Sequence, residues 1–472
     1  MTLSSVFVAA CALFSTAQAV KPLIADGVQF VNSESNERFQ IVGIDYQPGG
    51  SSGYDGETGK DPLSDKEICL RDAILMQRLG VNTIRVYNLN PETNHDDCAS
   101  IFNAAGIYMI LDVNGPAGGE SLNREDPVST YHEGYLERIF GVVEGFKNYP
   151  NTLGFFGGNE VINEDSVKAV PDYLRAVNRD LKQYIKNHSP RPIPVGYSAA
   201  DVRPMLADTW LYMTCDNGDS PSSQAEFFGL NSYSWCGDAS YKSSGYDKLV
   251  EQFKDAAQPV FFSEYGCNEV QPRIFTEVQS LYGKEMLPVL SGGLIYEYSQ
   301  ETSDYGVVTL NDNGTVTLLT DYDNLLEQYG KMDTSLLSTK PAKTSSKAPK
   351  CDSSLVKSSK FPSKFNVPEL PEGGEDLIKN GIPNPTSGKL VEVSDTKMPS
   401  TVYDTDGNAM EGLELKILSD DKSNLPGENT SGKSSGSPDG GDDEEDAASI
   451  GGVNMLGLVS ASAVALLVSS LW

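Results

Sequence analysis

Leu153 to Asn163 reads LGFFGGNEVIN, and Val260 to Glu269 reads VFFSEYGCNE. Each is a short run of apolar, aromatic and small residues that breaks onto a glutamate, Glu160 in the first and Glu264 in the second. Short apolar runs bounded by turn signals fit strands buried on both faces. Further runs of this texture are Gln40 to Tyr46, Thr83 to Tyr87, Tyr108 to Val113, Ile193 to Tyr197, Phe228 to Ser232 and Gly293 to Tyr296. With Leu153 to Gly157 and Val260 to Ser263 they make eight. Between them lie segments with apolar residues at spacings of three and four, such as Asp65 to Leu79, Tyr135 to Lys147, Val167 to Asn187 and Tyr246 to Ala257. Eight strand candidates alternating with helical patterns between Lys21 and Gly330 predict an α/β fold, a (β/α)8 TIM barrel. A doubly wound open sheet is the alternative, and no GxGxxG after the first strand supports it.

In such a barrel the functional side chains sit at the C-terminal ends of the strands. Glu160 follows the fourth strand candidate and Glu264 ends the seventh. Cleavage of a glycosidic bond needs two carboxyl groups, one protonated to assist the leaving oxygen and one ionised to attack or to activate water. A site holding both pushes their pKa values apart. Either glutamate alone is read equally well as a strand-end acid in a structural ion pair; the two together point to glycoside chemistry. Tyr46 and Gln47 close strand one, Arg85 and Tyr87 strand two, Asp112 and Asn114 strand three. Asp201 lies after strand five, Tyr233 and Trp235 after strand six, Tyr296 and Tyr298 at strand eight. Sugars present apolar CH faces and many hydroxyls, which such a cleft suits, although any single Tyr is equally a packing residue. Gly49 to Gly53 matches GxSxG, but no helix pattern follows it, and Asp404 to Asn408 lacks the full calcium-loop spacing. General acid catalysis with a carboxylate nucleophile needs no cofactor, and a metal is not expected.

Of the 472 residues, 36 are basic and 66 acidic, a formal net charge of -30, and 39% are hydrophobic. That apolar content supports a folded core, and the acidity argues against a nucleic-acid partner, which would be repelled. Residues 1–19, apolar from Val6 to Phe14 and ending Ala17-Gln18-Ala19, read as a secretory leader. Val453 to Trp472 is an uncharged apolar run preceded by Ala447, Ala448 and Ser449, the layout of a glycosylphosphatidylinositol attachment signal. Ala447 is the expected attachment residue, Gly440 and Gly441 are alternatives, and a C-terminal membrane helix is the competing reading. Residues 20–352 are expected to form the catalytic domain, 353–446 a low-complexity linker or stalk, loosely ordered from Phe365 to Leu418 with a small β appendage as the alternative and disordered from Ser419, and 447–472 the attachment signal. Six cysteines follow the leader, Cys69, Cys98, Cys215, Cys236, Cys267 and Cys351. In an oxidising compartment they suggest three disulfides of undetermined connectivity. Asn187, Asn313 and Asn429 head glycosylation sequons.

The strings GIDYQPGGSS (Gly43 to Ser52), IRVYN (Ile84 to Asn88), GFFGGNEV (Gly154 to Val161), IPVGYS (Ile193 to Ser198), NSYSWCG (Asn231 to Gly237), FFSEYGCNE (Phe261 to Glu269) and SGGLIYEY (Ser291 to Tyr298) closely resemble the fungal β-1,3-glucanosyltransferases of glycoside hydrolase family 72. The resemblance implies a retaining (β/α)8 enzyme of the cell surface and wall, anchored by glycosylphosphatidylinositol. It implies cutting of a β-1,3-glucan internally and joining of the new reducing end to the non-reducing end of an acceptor glucan. On this resemblance Glu160 is the acid/base and Glu264 the nucleophile. Tyr87, Asn123, Arg124, Asn159 and Tyr296 match donor contacts, and Asp201 an acceptor contact with Arg203 as substitute for a displaced arginine. Gln47, Asp112 and Tyr233 match other cleft positions. The implied disulfides are Cys69 with Cys98, Cys236 with Cys267 and Cys215 with Cys351. A monomer is expected. An endo-β-1,3-glucanase using the same carboxylates and a non-catalytic glucan-binding wall protein are the alternatives.

Overall fold

The computed structural model describes residues 20–164, 169–338, 346–359, 361–362 and 364–434. The expected leader and the expected attachment segment with Ala447 lie outside the described residues. An antiparallel sheet of β1 (Leu23–Asp26), β2 (Gln29–Asn32) and β3 (Arg38–Phe39) precedes the barrel. The barrel strands are β4 (Ile41–Tyr46), β5 (Thr83–Val86), β6 (Tyr108–Asp112), β7 (Thr152–Asn159), β8 (Val195–Ala200), β9 (Phe228–Ser232), β10 (Val260–Tyr265) and β11 (Gly292–Ile295). All neighbours pair in parallel, and β11 closes onto β4. The eight expected runs are therefore the eight barrel strands, with ends displaced by up to three residues.

Helices alternate with them: α1 (Lys66–Leu79), α2 (Asp96–Ala104), α3 (Pro127–Thr130), α4 (Glu133–Phe146), α5 (Val170–His188), α6 (Arg203–Thr214), α7 (Tyr246–Phe253), α8 (Glu277–Leu281) and α9 (Thr320–Gly330). α1 shows why this sequence makes a helix there. Asp65 caps it by accepting from the Glu67 and Ile68 N–H groups, and Gly80 ends it at φ 88°, a conformation that favours glycine. The strand–helix interface forms the larger core. A second cluster fills the lower barrel: Phe30 of β2 packs on Phe227 and Phe261, with ring centroids 5.9 and 5.8 Å away. The N-terminal sheet thus plugs the floor, and the open end is the one where Glu160 and Glu264 emerge.

The disulfides are Cys69–Cys98, Cys215–Cys351 and Cys236–Cys267, the pairing that the resemblance implies. The stretch after residue 352, expected as a linker, is instead packed on the barrel as far as Ser434. It contributes α10 (Gly374–Asn380), β14 (Val402–Tyr403), which extends the hairpin of β12 (Val308–Leu310) and β13 (Val316–Leu318), and the pair β15 (Met410–Glu411) and β16 (Lys433–Ser434). Asn424, in the part expected to be disordered, is fully buried: its Nδ2 donates to the Gln77 and Val81 carbonyls at 2.9 Å, and its N–H to Gly106 O at 2.9 Å. Gln77 pairs with both backbone groups of Lys416, at 2.8 and 2.9 Å. The belt is held largely by hydrogen bonds between its own backbone and barrel side chains such as Gln77, Ser100, Asp96 and Asp208, and composition does not reveal them.

Among the sequons, Asn187 and Asn313 are exposed. Asn429 is only 7% exposed and its Nδ2 donates to Asn424 Oδ1 at 2.7 Å, so the folded belt leaves no room there for a glycan.

Candidate active site

The upper barrel interior is polar where the lower is aromatic. Arg85, on β5 and fully buried, holds Asp112 of β6 in a two-pronged ion pair at 2.8 and 3.1 Å. Its remaining prong reaches Glu264 Oε1 at 3.1 Å. Tyr87 donates to the same oxygen at 2.9 Å, and Tyr233 donates to Oε2 at 2.7 Å. Arg85 also lies over the Tyr87 and Phe156 rings, 4.4 and 4.5 Å from their centroids. Glu264 therefore accepts three hydrogen bonds while only 8% exposed. Burial pushes its pKa up, as does Glu160, while Arg85, Tyr233 and Tyr87 act in the opposite sense. Three converging donors have no use for a proton on the acceptor, so this is a carboxylate held ionised in a dry place.

Glu160 is set differently. Its backbone takes the left-handed conformation, φ 50°, anchored by its N–H to Ser198 O at 2.9 Å. A non-glycine residue in that region is strained, and such strain concentrates at functional sites. The β7–β8 register slips between Phe156 and Asn159, which re-aims the end of the strand. Asn231 supplies Glu160's hydrogen bond: its Nδ2 donates to Glu160 Oε1 at 2.9 Å and to Asn159 Oδ1 at 3.1 Å. The amide is fixed in that sense because Ser198 and Ser263 both donate to its oxygen, at 3.0 and 2.8 Å. Glu160 is half-buried, with one neutral donor where Glu264 has a cation and two phenols.

Most of the expected cleft residues come together here. Tyr87, Asp112, Asn159 and Tyr233 join the network above. Tyr296 stands edge-on to Tyr233 and to Tyr305, with centroids 6.3 and 5.2 Å away. Gln47 closes β4 and is 8% exposed. Asp201 accepts from Ser232 Oγ at 2.7 Å and from Arg203 Nη2 at 2.8 Å, so the substitute arginine does reach it, at the exposed rim. Asn123 is exposed on the loop after β6. Its carboxamide oxygen accepts from the Glu125 N–H at 2.9 Å, a turn-forming role, while Ser121 and Leu122 line the hollow beside Tyr87. Arg124 pairs with Asn163 and Glu164 in the loop after Glu160. Tyr46 and Tyr298 leave the cleft: both hydroxyls donate to Asp72 in the core. Trp235 is buried with its Nε1 on Thr276 Oγ1 at 3.1 Å.

Sequence reading missed Asn231, Tyr305, Asp45 and Glu297. Asp45 is fully buried beside Arg85, with neither carboxyl oxygen hydrogen-bonded among the described residues, and burial raises its pKa well above the carboxylate range. Burial, Glu301 and Glu264 push Glu297 up to about 8. Among the described residues the one close group of metal-type donors is Cys236, Cys267 and Glu269, and its two sulfurs are bonded to each other.

Residues 12–333 match the model of the glycoside hydrolase 72 family, described as glucanosyltransferase. The chain is 58% identical over 427 residues to 1,3-beta-glucanosyltransferase gel2 of Aspergillus fumigatus, covering 90% of this chain and 89% of that one. It is 47% identical over 432 residues to the probable 1,3-beta-glucanosyltransferase GAS3 of Saccharomyces cerevisiae, covering 87% and 82%. Among solved structures, Saccharomyces cerevisiae Gas2p in complex with laminaritetraose and laminaripentaose superposes with a TM-score of 0.66 at 38% identity, over 75% of each chain.

Proposed function

The chain belongs to the glucanosyltransferases of glycoside hydrolase family 72, and from that premise we propose that Glu264 is its nucleophile, Glu160 its acid/base, and a β-1,3-glucan both its donor and its acceptor. Glu160 gives its proton to the glycosidic oxygen while Glu264 attacks the anomeric carbon, so one glucan segment leaves and the other is held as an ester on Glu264. Glu160, now ionised, takes the proton from the terminal hydroxyl of an acceptor glucan, whose oxygen displaces Glu264 and restores both groups. Arg85, Tyr87 and Tyr233 hold the nucleophile in place and ionised, and Asn231 orients the acid. The observation that carries this reading is the asymmetry of the two glutamates: three donors converge on Glu264, one neutral amide on Glu160.

The sequence outside the described residues supports an anchored location on the outer face of the plasma membrane and in the wall, through glycosylphosphatidylinositol at Ala447. The protein acts as a monomer in this reading. Incubation with a reduced laminari-oligosaccharide tests the chemistry. Products longer than the substrate are expected; shorter products alone would make the protein an endo-glucanase. Glu160→Gln and Glu264→Gln should each lower turnover by about three orders of magnitude or more.

A further inference from the structure

Tyr87, Asn114, Gly115, Leu122 and Asn159 border a hollow among the loops after β5, β6 and β7, and Tyr87 on its edge is the residue that donates to Glu264. On the far side of Gly115 lies a second hollow of about 420 Å³. The wall between them is thin. Gly115 N–H donates to Glu120 O at 3.1 Å, and a Cβ on Gly115 would meet Glu120 Oε2 at 2.2 Å and Arg138 Nη2 at 2.3 Å. Only glycine lets that pair sit there, and the pair faces the second hollow.

Its lining is polar and on the open end of the barrel: Tyr54, Asn90, Glu92 and Glu137 from the loops and α4, and Asn384 and Thr386 from the C-terminal belt. The belt is fastened on both sides of this point. The Ile382 N–H donates to Tyr184 Oη at 3.2 Å, Thr386 Oγ1 to Glu92 O at 3.2 Å, and the Lys389 N–H to Asp96 Oδ1 at 2.7 Å. Between the fastenings Asn384 turns the chain at φ 47°, presenting Pro383, Asn384 and Pro385 to solvent. The composition selects the ligand. Carboxylates and amides bind hydroxyls, a tyrosine ring and two prolines suit sugar CH faces, and Glu92, Glu120 and Glu137 against one arginine repel an anionic polymer.

We propose that this hollow is a distal binding site for the donor glucan, built jointly by the barrel loops and the belt, so that the segment after the barrel sets how long a donor the enzyme prefers. The inference rests on the reading of the chain as a glucan-cleaving transferase.

Two measurements test it on the full-length protein. In the first, kcat/KM is followed over a series of reduced laminari-oligosaccharide donors of increasing length, for the natural enzyme and for Glu137→Trp, which fills the hollow. Expected is a plateau at shorter donors in the variant, with the longest donors reduced about tenfold, the worth of one or two hydrogen bonds, and the shortest unchanged. Asn384→Ala should give the same pattern more weakly. The second is titration calorimetry of long and short oligosaccharides into the Glu160→Gln protein with and without Glu137→Trp, where only the long ones should weaken. An unchanged length dependence, or an equal loss at every length, would overturn the proposal. If the natural enzyme produces no longer products while long-chain affinity still depends on Glu137, the transfer reading falls and the site stands.

Discussion

Glu297 is 2% exposed and its Oε1 has no hydrogen-bond partner among the described residues. Burial, Glu301 and Glu264 lift its pKa from 4.5 to about 8. Between those values the folded chain keeps a proton that the unfolded chain has lost, so folding stability falls as pH rises through that window. Glu297→Gln removes the linkage. Its thermal midpoint, measured from pH 4.5 to pH 8, should exceed that of the natural protein by a margin that grows with pH; a constant margin would refute this. The sequence made Glu160 and Glu264 legible because each ends an apolar run. It hid Glu297 between Tyr296 and Tyr298, and it hid Asn231 inside a strand whose period marks it only as buried. The slip in β7 and another in β10, between Phe262 and Glu264, break the alternation that would say which side chains face the barrel axis.

At the level of elements, the barrel was legible and the belt was not, for one reason. Barrel strands bury nearly every side chain, so their apolar density stands out; the belt buries scattered single residues, Val402, Leu413 and Leu415 among them, and gains the rest from backbone bonds. Gly80 illustrates the hidden fit: besides ending α1, a Cβ there would meet Pro426 Cα at 2.3 Å. Asn424→Ala removes the hydrogen bonds to the Gln77 and Val81 carbonyls and should cost about 1–3 kcal/mol in denaturant unfolding. Replacing Cys215 and Cys351 by Ser, which opens a loop of 136 residues, should cost about 3–5 kcal/mol. If neither change lowers the midpoint, the belt contributes nothing to stability.

For the whole molecule, the net charge of -30 carries no information about catalysis. Six of the acids fall in the eight residues Asp439 to Asp446, and a neutral glucan is neither steered nor repelled by charge. Transfer rates on laminari-oligosaccharides should change by less than about twofold between low and high ionic strength, because screening has no long-range attraction to weaken. A steep salt dependence would point instead to a charged substrate.

The belt has a further consequence, for maturation. Its partners, Gln77 on α1, Asp96 and Gly106 at the two ends of α2, and Tyr184 on α5, lie at three helices of the barrel, and Cys351 meets Cys215 only when α6 is seated. The last part of the fold to be synthesised can therefore dock only on a finished barrel. A chain whose barrel has failed would leave a free thiol at residue 351 and an undocked tail, a chemical mark of incomplete folding.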